Sequence, residues 1–135
     1  MSLWVLDTNT ISYFMRGDEA VVPFLLALQP AQVGVPAIVL YELRYGLGRL
    51  PREAAVPRLK ALEQFLMPLQ VLEFDSACAE YAAQIRVQLE KIGQPIGPYD
   101  VLIAATSLRY GGRLVTRHVA EFRRVKGLNV VNPHE

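Results

Sequence analysis

The sequence predicts an α/β fold: a central, mostly parallel sheet of about five short strands with helices on both faces. Two observations carry this. Apolar runs of strand length alternate with longer segments of helical periodicity along the whole chain. The chain is also one domain long, 135 residues, with 52% hydrophobic and 20% charged residues. That composition supports a packed core and excludes a disordered chain, which needs low hydrophobicity and high net charge. Residues 1–135 therefore read as a single domain, with no internal repeat or linker.

Leu3-Trp4-Val5-Leu6 is an apolar run suited to a buried strand, and Asp7-Thr8-Asn9-Thr10 suits a strand end and a helix N-terminus. A short helix is expected over Ile11–Met15, ended by Gly17, and a second over Glu19–Leu28, closed by Gln29-Pro30. Gln32–Val35 is a short strand. Pro36, with its fixed φ, then opens a helix running to Gly46–Gly48. Arg52–Met67 carries Val56, Leu59, Leu62, Phe65 and Leu66 at helical spacing, with Pro57 marking a bend or a later start. Leu69–Phe74 alternates as a strand. Ser76–Ile92 is an Ala-rich helix capped by Asp75 or Ser76 and stopped by Gly93.

Gln94–Pro98 is a loop, and Tyr99–Tyr110 is a helix apolar nearly all round, which predicts burial. After Gly111-Gly112 come a strand at Arg113–Thr116, a short helix at His118–Phe122 and a last strand at Leu128–Val131.

Several chemistries are excluded early. The lone Cys78 forms no internal disulfide or cysteine zinc site, and its Ala-rich helix suits a buried structural thiol. The longest apolar runs fall far short of the ~20 residues that span a bilayer, and the N-terminus lacks the basic start and long apolar stretch of a signal peptide. The expectation is a soluble, cytoplasmic protein with no membrane partner. Gly46-Leu47-Gly48 falls at a helix end and not after a strand, so it is no phosphate loop of the nucleotide-binding kinds. Asp7-Thr8-Asn9 lacks the second Asp of a phosphoaspartyl phosphatase.

Net charge is only +1, but its distribution is uneven. Arg109, Arg113, Arg117, Arg123, Arg124 and Lys126 face one acid, Glu121, in the same stretch. This basic pole on a mildly acidic body reads either as a solvated surface or as a surface for RNA phosphates.

In open parallel sheets, ligands bind beyond the carboxyl ends of the strands. Asp7-Thr8-Asn9 and Thr116-Arg117-His118 both occupy such places. Asp7 reads as a helix cap, yet three further capping residues follow it and a helix needs only one. Glu42 and Arg44 lie about 200° apart on their helix, so one narrow polar stripe cannot hold both. Glu42 shares its side with Ile38, Tyr45 and Arg49, and there needs a partner, either Arg49 or a metal ion. Asp100 heads a helix that should be buried. It either complements the helix dipole or faces a cleft.

Three carboxylates gathered at one sheet edge would repel one another, and hard cations with oxygen ligands, Mg²⁺ or Mn²⁺, would relieve the repulsion. Such a cluster beside a basic surface suits phosphodiester hydrolysis by a metal-activated water.

Four stretches resemble, in order, the PIN-domain ribonucleases, specifically the VapC-type toxins of bacterial and archaeal toxin–antitoxin pairs. They are Leu6–Tyr13, Val39–Gly46, Pro95–Ala105 and Leu114–Phe122. The resemblance implies a three-layer PIN-like sandwich and an Mg²⁺- or Mn²⁺-dependent endoribonuclease leaving 5′ phosphate and 3′ hydroxyl ends. It implies Asp7, Glu42 and Asp100 as catalytic acids and metal-site residues, with Thr8 and Asn9 supporting them. In the family's last motif Thr116 and Glu121-Phe122 match, but His118 stands where Asn or Asp is usual, so the fourth position lies between Glu121 and His118.

The implied partners are an RNA substrate, a cognate VapB-type antitoxin, a second copy in a homodimer, and promoter DNA only through the antitoxin complex. Phe14, Met15, Leu47 and Leu50 are candidates for either partner contacts or ordinary core packing. His134, near the C-terminus, is expected to be exposed. The alternatives are a PIN-like binding module that has lost catalysis, suggested by His118, and, more remotely, a receiver-like domain phosphorylated on Asp7.

Overall fold

The computed structural model describes residues 2–135. Its elements run β1 (Trp4–Leu6), α1 (Thr8–Met15), α2 (Val21–Leu26), a 3₁₀ turn (Pro30–Gln32), β2 (Val33–Pro36), α3 (Ala37–Gly48), α4 (Arg52–Leu66), β3 (Gln70–Leu72), α5 (Ser76–Lys91), α6 (Pro98–Tyr110), β4 (Arg113–Val115), α7 (Val119–Phe122) and β5 (Val130–Val131). The five strands form one sheet in the order β3-β2-β1-β4-β5, and every pairing is parallel.

The order decides where a ligand site can be. From β1 the chain moves outward through β2 to β3, then returns across the sheet to β4 beside β1. Right-handed crossovers place helices of the outward leg on one face and those of the return leg on the other. The direction reverses between β1 and β4, which makes a crevice at their carboxyl ends.

The strands are buried on both faces, which explains their unbroken apolar runs. Val5, Leu6, Val35, Leu114 and Val115 are fully buried. Ile11, Leu62, Leu89, Ile103 and Phe122 pack around them. Helix α6 is buried from Val101 through Ser107 except for a partly exposed Leu102, as its apolar circumference predicts. Its Thr106 and Ser107 hydroxyls donate to carbonyls one turn back, which satisfies them inside the core.

Three local expectations shift. Helix α1 begins at Thr8, earlier than Ile11, because Asp7 caps it: Asp7 Oδ1 accepts from the Thr10 amide at 2.8 Å. Helix α2 begins at Val21, later than Glu19, because Asp18 Oδ1 accepts from the Ala20 and Val21 amides and holds a turn there. Helix α4 starts at Arg52 and runs through Pro57, which sits on its exposed side. Its buried positions are Ala55 and Leu62, so Val56, about 100° further round, is 55% exposed instead of joining the apolar stripe.

Gly112 sits where the return helix enters β4. A Cβ there would lie 2.5 Å from Val5 Cγ2, and Val5 is fully buried on the central strand. Gly112→Ala is expected to cost about 1–3 kcal/mol through overpacking, read as a lower midpoint in urea unfolding.

Candidate active site

Asp7 is the first residue past β1 and the N-cap of α1. The Asp7 amide donates to the Val115 carbonyl, carrying the β1–β4 pairing one residue past the strand. Thr116 follows β4 directly, and its amide donates to Val131 on β5. The Thr116 hydroxyl donates to Asp7 Oδ2 at 2.5 Å and accepts from the His118 amide at 3.0 Å. Thr10 completes the cradle, with its amide on Asp7 Oδ1 and its hydroxyl on the Val115 carbonyl.

Each oxygen of a 3% exposed carboxylate therefore has a protein donor. Burial pushes the Asp7 carboxyl above its ordinary pKa, while the bonds from Thr10 and Thr116 and the nearby His118 ring pull it back.

Glu42 lies on α3, whose N-terminus follows β2. The Thr8 hydroxyl donates to Glu42 Oε1 at 2.6 Å, so Thr8 is the partner that the apolar surroundings require. Arg49 is not that partner: its guanidinium lies over the Tyr45 ring, 5.5 Å from the centroid.

Asp100 occupies the first turn of α6. Its carboxyl is pushed up to about 6, first by burial and then by the negative charges of Glu121, Asp7 and Glu42. His118 acts in the opposite direction. The fold thus brings Asp7, Glu42, and the α7 pair His118 and Glu121 within electrostatic reach of Asp100, from four separate segments. Asn9 Nδ2 stands 2.8 Å from His118 Nε2, which joins the start of α1 to the turn before α7.

The donor set is all hard oxygen, which fits Mg²⁺ or Mn²⁺. Among the described residues, no three His, Cys, Asp or Glu side chains converge tightly enough to enclose an ion by themselves. Glu121, Asp7 and Glu42 are nonetheless near enough for their charges to act on Asp100. A loose carboxylate ring suits an ion that keeps several of its waters, as Mg²⁺ does.

The basic pole divides. Strand β4 runs through the middle of it, and Arg113 at the strand's start pairs in register with Trp4, at the edge of the sheet away from Asp7. The Arg113 guanidinium lies over the Trp4 ring. Arg109 ends α6, nine residues or roughly 13 Å of helix from Asp100, and is bound to Asp75 at 2.9 Å. Arg117, by contrast, follows β4 on the site's side, over the Tyr13 ring. Arg123 pairs with Glu135 at 3.7 Å, and Arg124 donates to the Pro95 carbonyl in the loop before α6. Lys126 is exposed.

His134 is not exposed as expected. Its side chain is 16% accessible, with Nε2 3.1 Å from Asp18 Oδ1 and the ring against Tyr13. Cys78 is buried, and burial raises its thiol pKa, as a structural thiol should behave.

Two features around the site escaped the sequence reading. A groove of about 550 Å³ leaves the site at Thr8 and Glu42, between α1 and α4, with Leu47 and Leu62 lining it and Arg16 and Arg58 among its walls. Met15 and Leu47 reach this groove, whereas Phe14 packs on Phe65. Tyr41, Tyr45 and Tyr99 form an exposed aromatic cluster. Tyr41 and Tyr99 directly precede Glu42 and Asp100, a signal the sequence did contain.

No helix among the described residues is long and apolar enough to cross a membrane. The PIN domain family model matches residues 4–128. A tRNA(fMet)-specific endonuclease VapC of Shigella flexneri is 32% identical over 130 residues, covering 95% of this chain and 96% of the relative. Ribonuclease VapC2 of Rickettsia felis is 30% identical over 132 residues, covering 96% and 97%. Among solved structures, FitAcB from Neisseria gonorrhoeae superposes with a TM-score of 0.91 at 32% identity, covering 98% of this chain and 99% of that one. DNA-bound VapBC from Salmonella typhimurium gives 0.90 at 31% identity, covering 98% and 99%. With a model match over nearly its whole length, relatives above 30% identity and the five-stranded parallel sheet, the chain belongs to the PIN domain family.

Proposed function

We propose that the chain is a divalent-metal-dependent endoribonuclease, the toxin of a VapBC-type toxin–antitoxin pair. The observation that carries this reading is the gathering of Asp7, Glu42 and Glu121 around Asp100 at the crevice between β1 and β4, where burial first and then these negative charges push the Asp100 carboxyl up to about 6. The names of the relatives, endonuclease and ribonuclease VapC, supply the reaction class.

Asp7 and Asp100 would hold Mg²⁺ or Mn²⁺ directly or through water, with Glu42 and Glu121 completing the negative site. Bound there, the ion supplies a lowered water pKa, charge neutralisation at the phosphate and stabilisation of the leaving 3′ oxygen.

The protein's own groups do the positioning. Thr116 and Thr10 fix the orientation of the Asp7 carboxylate from both oxygens. Thr8 holds one oxygen of Glu42 and leaves the other to orient the attacking water. Asn9 and His118 brace the rim between α1 and α7 and offer polar hydrogens to the phosphate. Arg117, Arg123, Arg124 and Lys126, which follow β4 in the chain, are the cations to hold RNA phosphates; Arg113 stands at the start of β4, away from Asp7, and Arg109 is bound to Asp75.

The antitoxin is the proposed occupant of the groove beside Thr8 and Glu42. The superposed Salmonella structure is VapBC bound to DNA, and VapBC2 from Rickettsia felis is bound to a fragment of its promoter, which supports an antitoxin partner and promoter contact through the assembled pair. A homodimer and a cytoplasmic location complete the reading.

Incubating the purified chain with total cellular RNA tests the reaction. Cutting is expected with Mg²⁺ or Mn²⁺, none with chelator, and a loss on the order of 10²-fold or more in Asp7→Asn, the scale of removing a positioned catalytic group. Equal cutting by a folded Asp7→Asn, or no cutting by antitoxin-free parent with metal, would contradict the reading and favour a binding module.

The same cluster makes stability depend on pH. Asp100 titrates near 6 in the fold against an ordinary 3.8. Between those values the folded chain keeps a proton that the unfolded chain has released, so the Asp100 contribution to stability falls as pH rises through this window. In chelator at pH 8, Asp100→Asn is therefore expected to melt above the parent, with the gap closing as pH falls below 6. Added Mg²⁺ should raise the parent's Tm at pH 8 and leave the variant's nearly unchanged. A variant melting below the parent in chelator at pH 8 would contradict the repulsion.

A further inference from the structure

Four of the six tyrosines are exposed, and three of those four stand together at the rim of the acidic crevice. Tyr41 and Tyr45 lie one turn apart on α3 with near-parallel rings, 6.2 Å between centroids and 17° between planes. Tyr99, at the head of α6, meets the Tyr41 ring edge-on at 5.9 Å. Their exposures are 51%, 58% and 43%. Arg49 extends the array by lying over Tyr45. Because Tyr41 and Tyr99 adjoin Glu42 and Asp100, their Cα atoms lie only about 3.8 Å from those of the two acids.

The two flanks of the crevice differ in chemistry. Beyond β4, Arg117, Arg124 and Lys126 supply positive charge, and Arg123 faces Glu135 at 3.7 Å. Beyond β2, on the opposite side of Asp7, α3 offers Arg44 and Arg49, of which Arg44 faces Glu63 at 3.8 Å. A polyanion crossing an acidic crevice needs a hold on both flanks, and on the α3 flank Arg44 is met by Glu63 and Arg49 lies over Tyr45, while Arg16 and Arg58 stand in the groove beyond Glu42. Exposed aromatic rings provide a hold of another kind, since every base has a face that can stack and unpaired bases are free to do so. Half-exposed rings with outward area available, adjoining Glu42 and Asp100 in the chain, suit this better than they suit core packing.

We propose that Tyr41, Tyr45 and Tyr99 form a stacking platform that receives the base of a nucleotide flanking the scissile phosphate in single-stranded RNA. The proposal rests on the ribonuclease reading. Tyr45 and Tyr41 take the base against their ring area, Arg49 stands within reach of the adjoining phosphate, and Tyr99 sets the edge of the platform toward Asp100. The platform selects for unpaired RNA, because a paired base cannot leave its stack to reach the rings without cost.

The test measures binding in chelator, where no cleavage occurs, by fluorescence anisotropy of the full chain with a labelled single-stranded RNA of about eight nucleotides. The same oligonucleotide with abasic residues is the control, and sedimentation reports the oligomeric state. Tyr41→Ala and Tyr45→Ala are expected to weaken binding of the base-bearing RNA roughly tenfold each, the scale of one lost base stack. Both should leave abasic binding unchanged. Tyr45→Phe should bind as the parent does. With metal, the Ala variants should raise KM far more than they lower kcat.

Ala variants that bind the base-bearing RNA like the parent would overturn the proposal. So would an equal loss on both oligonucleotides, or a changed oligomeric state with no base dependence, which would make the rings a self-association surface. Failure of the ribonuclease reading is separate: base-dependent binding without metal-dependent cutting would sink that reading alone, whereas cutting by Tyr45→Ala at the parent's KM would sink only the platform.

Discussion

The Asp7 carboxylate ties the sheet to the site. It sits where β1 ends, almost without solvent contact, and takes the Thr10 amide on one oxygen and the Thr116 hydroxyl on the other. One bond starts α1; the other joins the end of β1 to the end of β4. Those two strands are neighbours only because the chain reverses its direction of travel between them. The site and the topology are thus one feature: the reversal opens the crevice, and Asp7 places on its floor a buried carboxyl held by hydrogen bonds from Thr10 and Thr116.

The remaining acids sharpen that constraint. Glu42 comes from the helix after β2, Asp100 from the head of α6 and Glu121 from α7, and all of them raise or share the charge felt at Asp100. Assembling like charges opposes folding, and the core of strands and α6 must outweigh it. Sites for reactions on phosphates show this strain because the assembled charge is what captures a hard cation. In the proposed function the neighbouring flanks would divide the labour of holding RNA, with cations beyond β4 and aromatic rings beyond β2.

Much of the fold was legible because its signals are local. Strand-length apolar runs, Asp75 and Asp7 as caps, Pro36 before α3 and Gly111 after α6 all act within a few residues of where they stand. Asp7, Glu42 and Asp100 were visible as carboxylates whose patterns do not suit plain surface positions. What escaped was three-dimensional. Six basic residues looked like one pole, but β4 runs through them and sends Arg113 to one edge of the sheet and Arg117 to the other.

Glu42 found Thr8, 34 residues away, in preference to Arg49 seven residues along its own helix. His134 found Asp18 across nearly the whole chain. Val56 follows helical spacing yet lies one residue off the buried stripe that Ala55 occupies. Periodicity gives the face of an element, whereas partners are set by how elements meet.

The proposed function requires a carboxylate cluster held together against its own charge, with a cation to neutralise it. The most direct measurement is the titration of the Asp100 carboxyl carbon by NMR, first in chelator and then with saturating Mg²⁺. A midpoint of about 6 is expected in chelator, with a clear fall when Mg²⁺ is present, because bound positive charge favours the ionised form. A midpoint near the ordinary 3.8 in chelator, or one that Mg²⁺ does not move, would contradict that requirement.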